Sequence, residues 1–480
     1  MKRWGLVLFS AALYQLSFPS INFSLLVFVC LVPWLEFLRG ATRKQAAWSG
    51  AAFGLIFWLC QLYCLVPFVG RWTGSFGLAL VPWLLVPLLV GWFFVLLAVL
   101  MHQAIQRQML WTLPAVWMAV EVLRFTIPAL MFPWGGLAFP LYPYPVAIQG
   151  AAFGDLPLVS AWVMLVNVLV WQMLVSGPRT FIIRAFVAAG VFLAFSVMRY
   201  SQAPLTEKVP IMIGQTGVDM AFGNSDETDA KNLRAMLNFE QQAAAAGCKM
   251  LILSEDFKGR DAIPSMPPVP TLYGRLDTEG GKTYRAAEVL QPGKIQVTRK
   301  SRLVIFGEYV PFREKIPFLD QFKMPSGDIS AASAPQTLDV GTIKVAPMIC
   351  FEGLFSDVAR SQARQGARLQ AVMSIDDWYQ GTGAVEQLMG NAVWRSVENG
   401  LPTVRAATLG YSMACDARGN ILKVLPYGKE VGARVEVPVP YGPDGWEHRG
   451  LLGWVAALVA LVPWFKPDRK SSPKGEPSSP

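Results

Sequence analysis

The first 198 residues are almost entirely apolar and aromatic, with long stretches that carry no charge. Residues 202–448, in contrast, have the mixed polarity of an ordinary soluble domain. Apolar runs of roughly 17 to 25 residues have the length that crosses the hydrocarbon core of a bilayer. The sequence therefore predicts a multi-span α-helical membrane protein with a separate α/β domain placed late in the chain.

Eight apolar runs are candidate spans. They lie near residues 5–19, 21–38, 48–69, 77–101, 109–128, 156–176, 180–198 and 450–466. Only Pro19 and Ser20 separate the first two runs. These two runs are alternatively one long broken helix, which would invert the orientation of every later connection.

Positive charge distinguishes the two orientations, because Lys and Arg concentrate in short cytoplasmic loops. They occur in every second connection, at Lys2, Arg3, Arg39, Arg43, Lys44, Arg107, Arg179, Lys466, Arg469, Lys470 and Lys474. The connections at 19–21 and 129–155 have neither, and the one near 70–76 has only Arg71. Both termini are therefore predicted to be cytoplasmic and the polar domain extracytoplasmic. This topology accounts for the net charge of +9, and no basic stripe with stacking aromatics indicates nucleic-acid binding.

Four segments follow from the change in composition: a transmembrane domain at 1–200 with about seven spans, a catalytic domain at 205–447, a C-terminal transmembrane helix at 448–467, and a disordered cytoplasmic tail at 468–480. Within the polar domain, strands are predicted at 211–214, 250–253, 295–298, 343–349, 369–374 and 403–407, with helices at 227–246 and 385–398. A hairpin turn is predicted at 416–420. The alternation of strands and helices is typical of a layered α/β domain.

Cys350 ends the apolar run 345–349, and a helix could begin immediately after it. Glu255 and Lys300 end similar runs upstream. Because the carboxyl ends of strands meet at one edge of an open α/β sheet, these three side chains are predicted to converge.

The chain has only two histidines, His102 and His448, and both lie beside predicted spans. Ser-His-Asp and Cys-His chemistry are therefore disfavoured. A cysteine without histidine needs another base and another positive field, since the thiolate is the nucleophile. A carboxylate can take the thiol proton, and an ammonium can stabilise the thiolate and then an oxyanion. This combination predicts acyl transfer through a thioester. No cysteine spacing indicates a metal site, and no cofactor is expected.

The residues that carry this chemistry resemble a known family. The stretch KSRLVIFGEYVPF from Lys300, the stretch ICFEG around Cys350, and Glu255 after LILS look like the Glu-Lys-Cys triad of the nitrilase superfamily. The whole chain, including EVLR at 121–124 and FPW at 132–134, resembles the bacterial apolipoprotein N-acyltransferase family. That resemblance implies a nitrilase-like αββα sandwich inserted between seven spans and a final span, in the bacterial cytoplasmic (inner) membrane.

The resemblance also implies roles for individual residues. Glu255 would be the general base, Lys300 the transition-state stabiliser, Cys350 the nucleophile, and Glu308 a residue that orients Lys300 or the amine. The donor would be a membrane phospholipid, commonly phosphatidylethanolamine, and the acceptor the α-amino group of a diacylglyceryl-cysteine apolipoprotein. No metal or nucleotide would be required. Positions that differ from the family pattern include Ser254, Ile375, Gln387 and Val393.

Several alternatives stay open at the sequence level. Glu352 is either functional or a first-turn helix carboxylate favoured by the helix dipole. Trp378 and Tyr379 either line a lipid pocket or belong to the core. Glu121 and Arg124 share a helix face, which favours mutual pairing. A membrane-tethered amidase or acyl hydrolase, or a paralogous N-acyltransferase with a different amine acceptor, would use the same triad. A transporter would need broken spans in repeated halves, which the sequence lacks.

Overall fold

The computed structural model describes residues 3–127, 131–220, 225–255, 257, 263, 265–305, 307–310 and 328–465. Within these residues, eight α-helices precede the polar domain: α1 (Trp4–Leu16), α2 (Val32–Arg39), α3 (Arg43–Gln61), α4 (Leu65–Thr73), α5 (Phe76–Gln106), α6 (Leu113–Thr126), α7 (Ala151–Leu174) and α8 (Arg179–Ser201). The tail predicted at 468–480 and the basic residues from Lys466 onward lie outside the described residues.

Fewer helices than predicted have the length of a complete span. Among the described residues, α5, α7 and α8 are long and apolar enough to cross a membrane, and α3 with α4, bent by 54°, would make a fourth. The predicted spans at 21–38 and 109–128 contain instead the 8-residue α2 and the 14-residue α6. Each of these helices has a proline in its first turn, where proline starts a helix but cannot continue a preceding one. The prediction of eight single-helix spans is therefore not confirmed.

The described part of the polar domain contains two six-stranded sheets. The first has the order β12-β1-β2-β3-β4-β5 and the second β11-β10-β9-β8-β7-β6. The strands are β1 (Thr206–Gln215), β2 (Met250–Ile252), β3 (Thr271–Glu279), β4 (Lys282–Gln291), β5 (Lys294–Arg299), β6 (Leu338–Val340), β7 (Ile343–Ile349), β8 (Leu369–Ser374), β9 (Thr403–Ala407), β10 (Met413–Cys415), β11 (Ile421–Val424) and β12 (Val431–Pro440). The central pairs β1–β2, β2–β3, β7–β8 and β8–β9 are parallel.

The two sheets pack face to face through a buried aliphatic layer. Alternate residues of β1, β2, β7, β8 and β12 fill it, as expected where each sheet turns one face inward. Helix α9 (Asp226–Ala245) covers the outer face of the first sheet, and α10 (Ser356–Arg364) and α11 (Ala384–Asn399) cover the second. The result is a four-layer αββα sandwich, followed by α12 (Leu451–Phe465).

The helical region and the sandwich share one apolar core. Buried residues of α1, α3, α5 and α7 form a continuous cluster with Phe351, Leu388 and Trp394 of the sandwich. Polar contacts reinforce the junction: the Trp394 indole donates to the Phe139 carbonyl at 3.2 Å. Helix α7 is kinked at Asp155, whose φ is +54°. The Asp155 carboxylate there accepts from Arg360 at 2.7 Å and also from Arg449.

The strand predictions are confirmed to within a few residues, and those at 343–349, 369–374 and 403–407 match β7, β8 and β9. The predicted helices correspond to α9 and α11, and the 416–420 turn joins β10 to β11. The β3–β4 hairpin, β6, β12 and α10 were not predicted from the sequence. Both strands of this hairpin carry charged residues near the turn. These charges obscure the alternation of apolar and polar residues that would predict a strand.

Candidate active site

Three chain segments bring Glu255, Lys300 and Cys350 together, as the sequence predicts. Glu255 follows β2 and Lys300 follows β5, and these two strands run in the same direction because β4 is antiparallel to both β3 and β5. Cys350 follows β7 in the facing sheet. The three groups are close enough that Glu255 and Lys300 both change the pKa of the Cys350 thiol.

Cys350 has an unusual backbone conformation. Its φ is +54°, in the left-handed region that non-glycine residues rarely adopt and that is concentrated at functional sites. A short 3₁₀ turn, Cys350–Leu354, follows it and leaves the half-buried thiol at the strand end. Burial raises the pKa of Cys350 to about 12, and the Glu255 charge adds to this effect while Lys300 and Ser374 oppose it. The thiol is therefore protonated at neutral pH and needs a base to become a nucleophile.

Lys300 is fully buried and remains a cation. Its Nζ donates to Glu308 Oε1 at 2.8 Å, and Glu308 Oε2 accepts from the Val304 N–H at 2.9 Å. Burial favours the neutral amine, but Glu308 and then Glu255 and Cys350 outweigh it, so the pKa of Lys300 lies above its usual value. A fixed positive charge thus faces the thiol.

Glu255 is buried, with its Oε1 3.4 Å from the Arg285 guanidinium Nε. The neighbouring strand can approach this closely because position 274 is glycine. A Cβ there would lie 2.8 Å from the Glu255 Cα. Arg285 was not predicted from the sequence, where it is one of three charged residues of β4.

Glu352 connects the loop of Cys350 to the loop of Lys300. Its Oε1 accepts from the Ser301 N–H at 2.7 Å, the Ser301 hydroxyl at 2.8 Å and the Arg302 N–H at 3.1 Å. Its Oε2 accepts from the Ile349 N–H at 3.0 Å. The two loops are therefore fixed relative to each other through one carboxylate.

Aromatic side chains lie beside the thiol. Tyr379 is near enough to be influenced by Cys350, and Trp378 stands edge-on to Phe68 of α4 at 5.2 Å between ring centroids. On another side, Phe351 stacks on Phe132 from the helical region at 6.4 Å. Both Trp378 and Tyr379 are half-buried. Aromatic groups from the helical region thus reach the site at two places.

The loop that carries Phe132 is held by two charged residues of α6. Arg124 donates to the carbonyls of Phe132, at 3.1 Å, and Trp134. Glu121 Oε1 accepts from the Leu137 N–H at 2.7 Å. The charges of Glu121 and Arg124 also attract each other, as predicted, so both residues serve the pairing and the loop together. Among the described residues, no cluster of His, Cys, Asp and Glu could hold a metal ion.

Two family models match the chain. The apolipoprotein N-acyltransferase N-terminal domain matches residues 10–169, and the carbon-nitrogen hydrolase model matches residues 266–437. Among solved structures, a carbon-nitrogen hydrolase from Helicobacter pylori is 14% identical and covers 52% of this chain and 93% of its own, with a TM-score of 0.37. An amidase from Nesterenkonia is 17% identical and covers 50% and 95%, with a TM-score of 0.37.

Full-length relatives carry one name. The apolipoprotein N-acyltransferase of Geobacter metallireducens is 26% identical over 94% of this chain and 93% of that relative. Those of Gloeobacter violaceus and Vibrio vulnificus are 28% and 24% identical, covering 85% and 97% of this chain and 83% and 97% of the relatives. The α/β part therefore has the carbon-nitrogen hydrolase fold, joined to a helical region with several apolar helices. The chain belongs to the apolipoprotein N-acyltransferase family.

Proposed function

We propose that this protein is an N-acyltransferase that moves an acyl chain from a membrane phospholipid to the α-amino group of a diacylglyceryl-cysteine apolipoprotein. The observation that carries the proposal is a protonated thiol, Cys350, held between a buried carboxylate and a buried ammonium in a chain whose relatives bear this name over nearly their whole length. Phosphatidylethanolamine is the donor that we propose in particular.

In the first half-reaction, Glu255 removes the thiol proton as the Cys350 sulfur attacks the ester carbonyl of the phospholipid. The carbonyl oxygen becomes an oxyanion, and the Lys300 ammonium stabilises it. The intermediate collapses by breaking the carbon–oxygen bond to the glycerol. Glu255 returns its proton to that oxygen, so a lysophospholipid leaves and the acyl chain stays on Cys350 as a thioester.

In the second half-reaction, the free amine of the lipoprotein cysteine attacks the thioester carbonyl. Glu255 takes a proton from the amine, and Lys300 again stabilises the oxyanion. The carbon–sulfur bond breaks, the amide forms, and the proton on Glu255 returns to Cys350. The two substrates therefore occupy one site in turn, without a metal or cofactor in any step.

Other residues support this chemistry. Glu308 keeps Lys300 charged and directed at the reacting carbon, since its carboxylate contacts the Nζ at 2.8 Å. Glu352 keeps the Lys300 and Cys350 loops in register. Trp378 and Tyr379, together with Phe132 and Phe351, supply an apolar wall suited to an acyl chain.

We also propose the placement of the chain in the bacterial cytoplasmic membrane. Residues 1–200 and 448–467 would lie in the bilayer, the tail from 468 in the cytoplasm, and the catalytic domain at 205–447 on the extracytoplasmic side. The distribution of Lys and Arg supports this orientation. The helices that are too short to cross alone would pack between the longer ones, whose lipid-facing surfaces include exposed Phe186 and Val191 of α8.

The intact mass of the purified full chain in phospholipid tests the proposal. The protein is measured before and after addition of a diacylated lipopeptide with a free amine. We expect wild type to gain one acyl mass and to lose it as the lipopeptide becomes triacylated. Cys350→Ala should gain none, whereas Cys248→Ala, which removes a buried cysteine beneath α9, should behave as wild type.

Two results would contradict the proposal. An adduct that decays equally fast without lipopeptide would indicate a hydrolase or another acceptor. An acyl adduct that persists in Cys350→Ala would show that the thioester forms elsewhere. Donors that differ only in headgroup, used in the same assay, test the choice of phosphatidylethanolamine.

A further inference from the structure

Ser374 lies next to the nucleophile on the adjacent strand. In the parallel β7–β8 register, Ile349 pairs with Met373, so Cys350 and Ser374 occupy equivalent positions at the two strand ends. The two side chains are close enough that the Ser374 hydroxyl lowers the pKa of the Cys350 thiol. Ser374 is itself completely buried, so its hydroxyl has no access to bulk water.

The Ser374 hydroxyl also contacts a buried ion pair, formed by Asp376 and Arg405. Ser374 Oγ donates to Asp376 Oδ1 at 2.8 Å. This carboxylate oxygen of Asp376 also accepts from Arg405 at 2.6 Å. Arg405 is anchored by a second bond from its NH1 to the Tyr411 carbonyl at 2.8 Å. Asp376 and Arg405 are both buried. Removing two charges from water carries a desolvation cost, so a functional role for this pair is worth testing.

A serine hydroxyl has one proton to donate and two lone pairs that accept. While Asp376 receives that proton, Ser374 can only accept from the thiol S–H of Cys350. Once the thiol is deprotonated, the hydroxyl can turn and donate to the thiolate instead. Asp376 does not then lose all its partners, because Arg405 still donates to it. The ion pair therefore allows the hydroxyl to change partner at low cost.

We propose that Ser374 is a further catalytic residue, whose hydroxyl turns from Asp376 to the Cys350 sulfur as the thiolate forms, and that Asp376 and Arg405 are positioning residues for this turn. The proposal rests on Cys350 being the nucleophile. No bond other than hydrogen bonds changes in this step. The thiol proton goes to Glu255, and the serine keeps its own.

Other charged and titratable groups also face the thiol. Glu255, Lys300 and Glu308 reach it from the first sheet and the loop after β5, and Tyr379 from the turn after β8. None of these is changed by a substitution at Ser374. A shift in the titration of Cys350 in a Ser374 variant therefore reports on the hydroxyl itself.

The experiment measures alkylation of Cys350 by iodoacetamide, with the full chain in detergent and the modified peptide quantified by mass spectrometry across pH. A hydrogen bond to a charged group is stronger than a neutral one. We therefore expect Ser374→Ala to move the alkylation profile to higher pH and to slow alkylation at pH 8 by about tenfold to one hundredfold. In the acyl-transfer assay, kcat should fall while KM for the donor is unchanged.

Ser396→Ala is the matched control. Ser396 is a buried serine on α11 whose hydroxyl contacts the sulfur of Cys415 at 3.0 Å, away from the site. Its variant should leave the alkylation profile of Cys350 unchanged. Equal slowing in both serine variants, or an unchanged profile in Ser374→Ala, would overturn the proposal.

Asp376→Asn provides a second and opposite signature. The amide is a weaker acceptor than a carboxylate, so the Ser374 proton is more available to the thiolate and a nearby negative charge is gone. We expect the profile to move to lower pH, opposite to Ser374→Ala. A shift of both variants in the same direction would refute the role of the ion pair. Alkylation requires no acyl donor, so a wild type that alkylates normally but forms no thioester would contradict the proposed function alone.

Discussion

Glu352 should be the residue whose loss most directly uncouples the Lys300 and Cys350 loops. Glu352→Gln keeps the size of the side chain but replaces one acceptor oxygen by an NH₂ group. In the better orientation, the remaining oxygen keeps the three bonds from Ser301 and Arg302. The amide nitrogen then faces the Ile349 N–H, and two donors oppose each other in a buried site.

The magnitude follows from these contacts. An unsatisfied buried N–H costs about 1–3 kcal/mol, and the three remaining bonds weaken because their acceptor is no longer charged. Part of this cost is recovered: burial raises the pKa of Glu352 despite its hydrogen bonds, so removing the charge relieves a desolvation penalty. We expect a net loss of about 2 kcal/mol, which lowers the unfolding midpoint by about 4–8 °C for a domain of this size.

Circular dichroism melting of the detergent-purified protein measures the stability, and intact mass measures thioester formation. We expect thioester formation to slow by more than about tenfold, because small displacements of reacting groups have large effects on rate. Glu279→Gln is the control, since Glu279 is an exposed residue that pairs with Arg299 on the surface and should matter little. If Glu352→Gln melts and reacts like this control, the carboxylate does not join the two loops.

Three further outcomes are expected. In Glu308→Gln, the pKa of Lys300 should fall because the largest charge that opposes burial is removed. Thioester formation should then decline at a lower alkaline pH than in wild type, and an identical pH–rate profile would contradict this. Arg124→Gln releases the carbonyls of the Phe132 loop, so kcat/KM should fall severalfold for long-chain phospholipids but not for a short-chain soluble ester. Arg124→Lys should show the same loss, because lysine lacks the guanidinium fork that holds two carbonyls. Equal losses for both donors would refute the reasoning. Burial raises the pKa of Glu240 on α9 to about 7, above an unfolded value of about 4.3; the folded state therefore binds the proton more tightly, and wild-type stability should fall as pH rises between these values. Glu240→Gln should lack that fall and be more stable at pH 8 by about 3 kcal/mol, as thermal melts at pH 5 and pH 8 would show.

The strands that carry the site were predictable from the sequence because they are buried on both faces. β7, β8 and β9 are almost wholly buried and mostly apolar, each interrupted near its start or middle by a polar or charged residue, Lys344, Gln370 or Arg405; short, mostly apolar runs of this kind are typical of buried parallel strands. The resemblance of the KSRLVIFGEYVPF and ICFEG stretches then directed attention to Lys300 and Cys350. The proximity of these two to Glu255 is seen in the influence of each charge on the others, whereas their chemical roles stay proposals.

The residues that the sequence analysis missed act through tertiary contacts. Nothing in the local pattern shows that Arg285 of β4 would reach Glu255 past β3, or that Arg405 of β9 would pair with Asp376 just after β8. The helix lengths were misjudged for a different reason. Apolar composition is the same in a straight span and in two short helices, and only prolines such as Pro33 and Pro114 mark where a new helix starts.

The core shared by the helices and the sandwich constrains the order in which the protein can be made. Loop residues near Phe139 and Tyr142 are synthesised long before their partners Trp394 and Glu386 on α11. The helical region is therefore complete long before its outer surface is covered, because more than 200 further residues must be synthesised before α11 can pack against it. Quality control of this protein should accordingly act on the docking step, and a truncated chain that ends before α11 should be recognised as incomplete and degraded although helices α1 to α8 are all present.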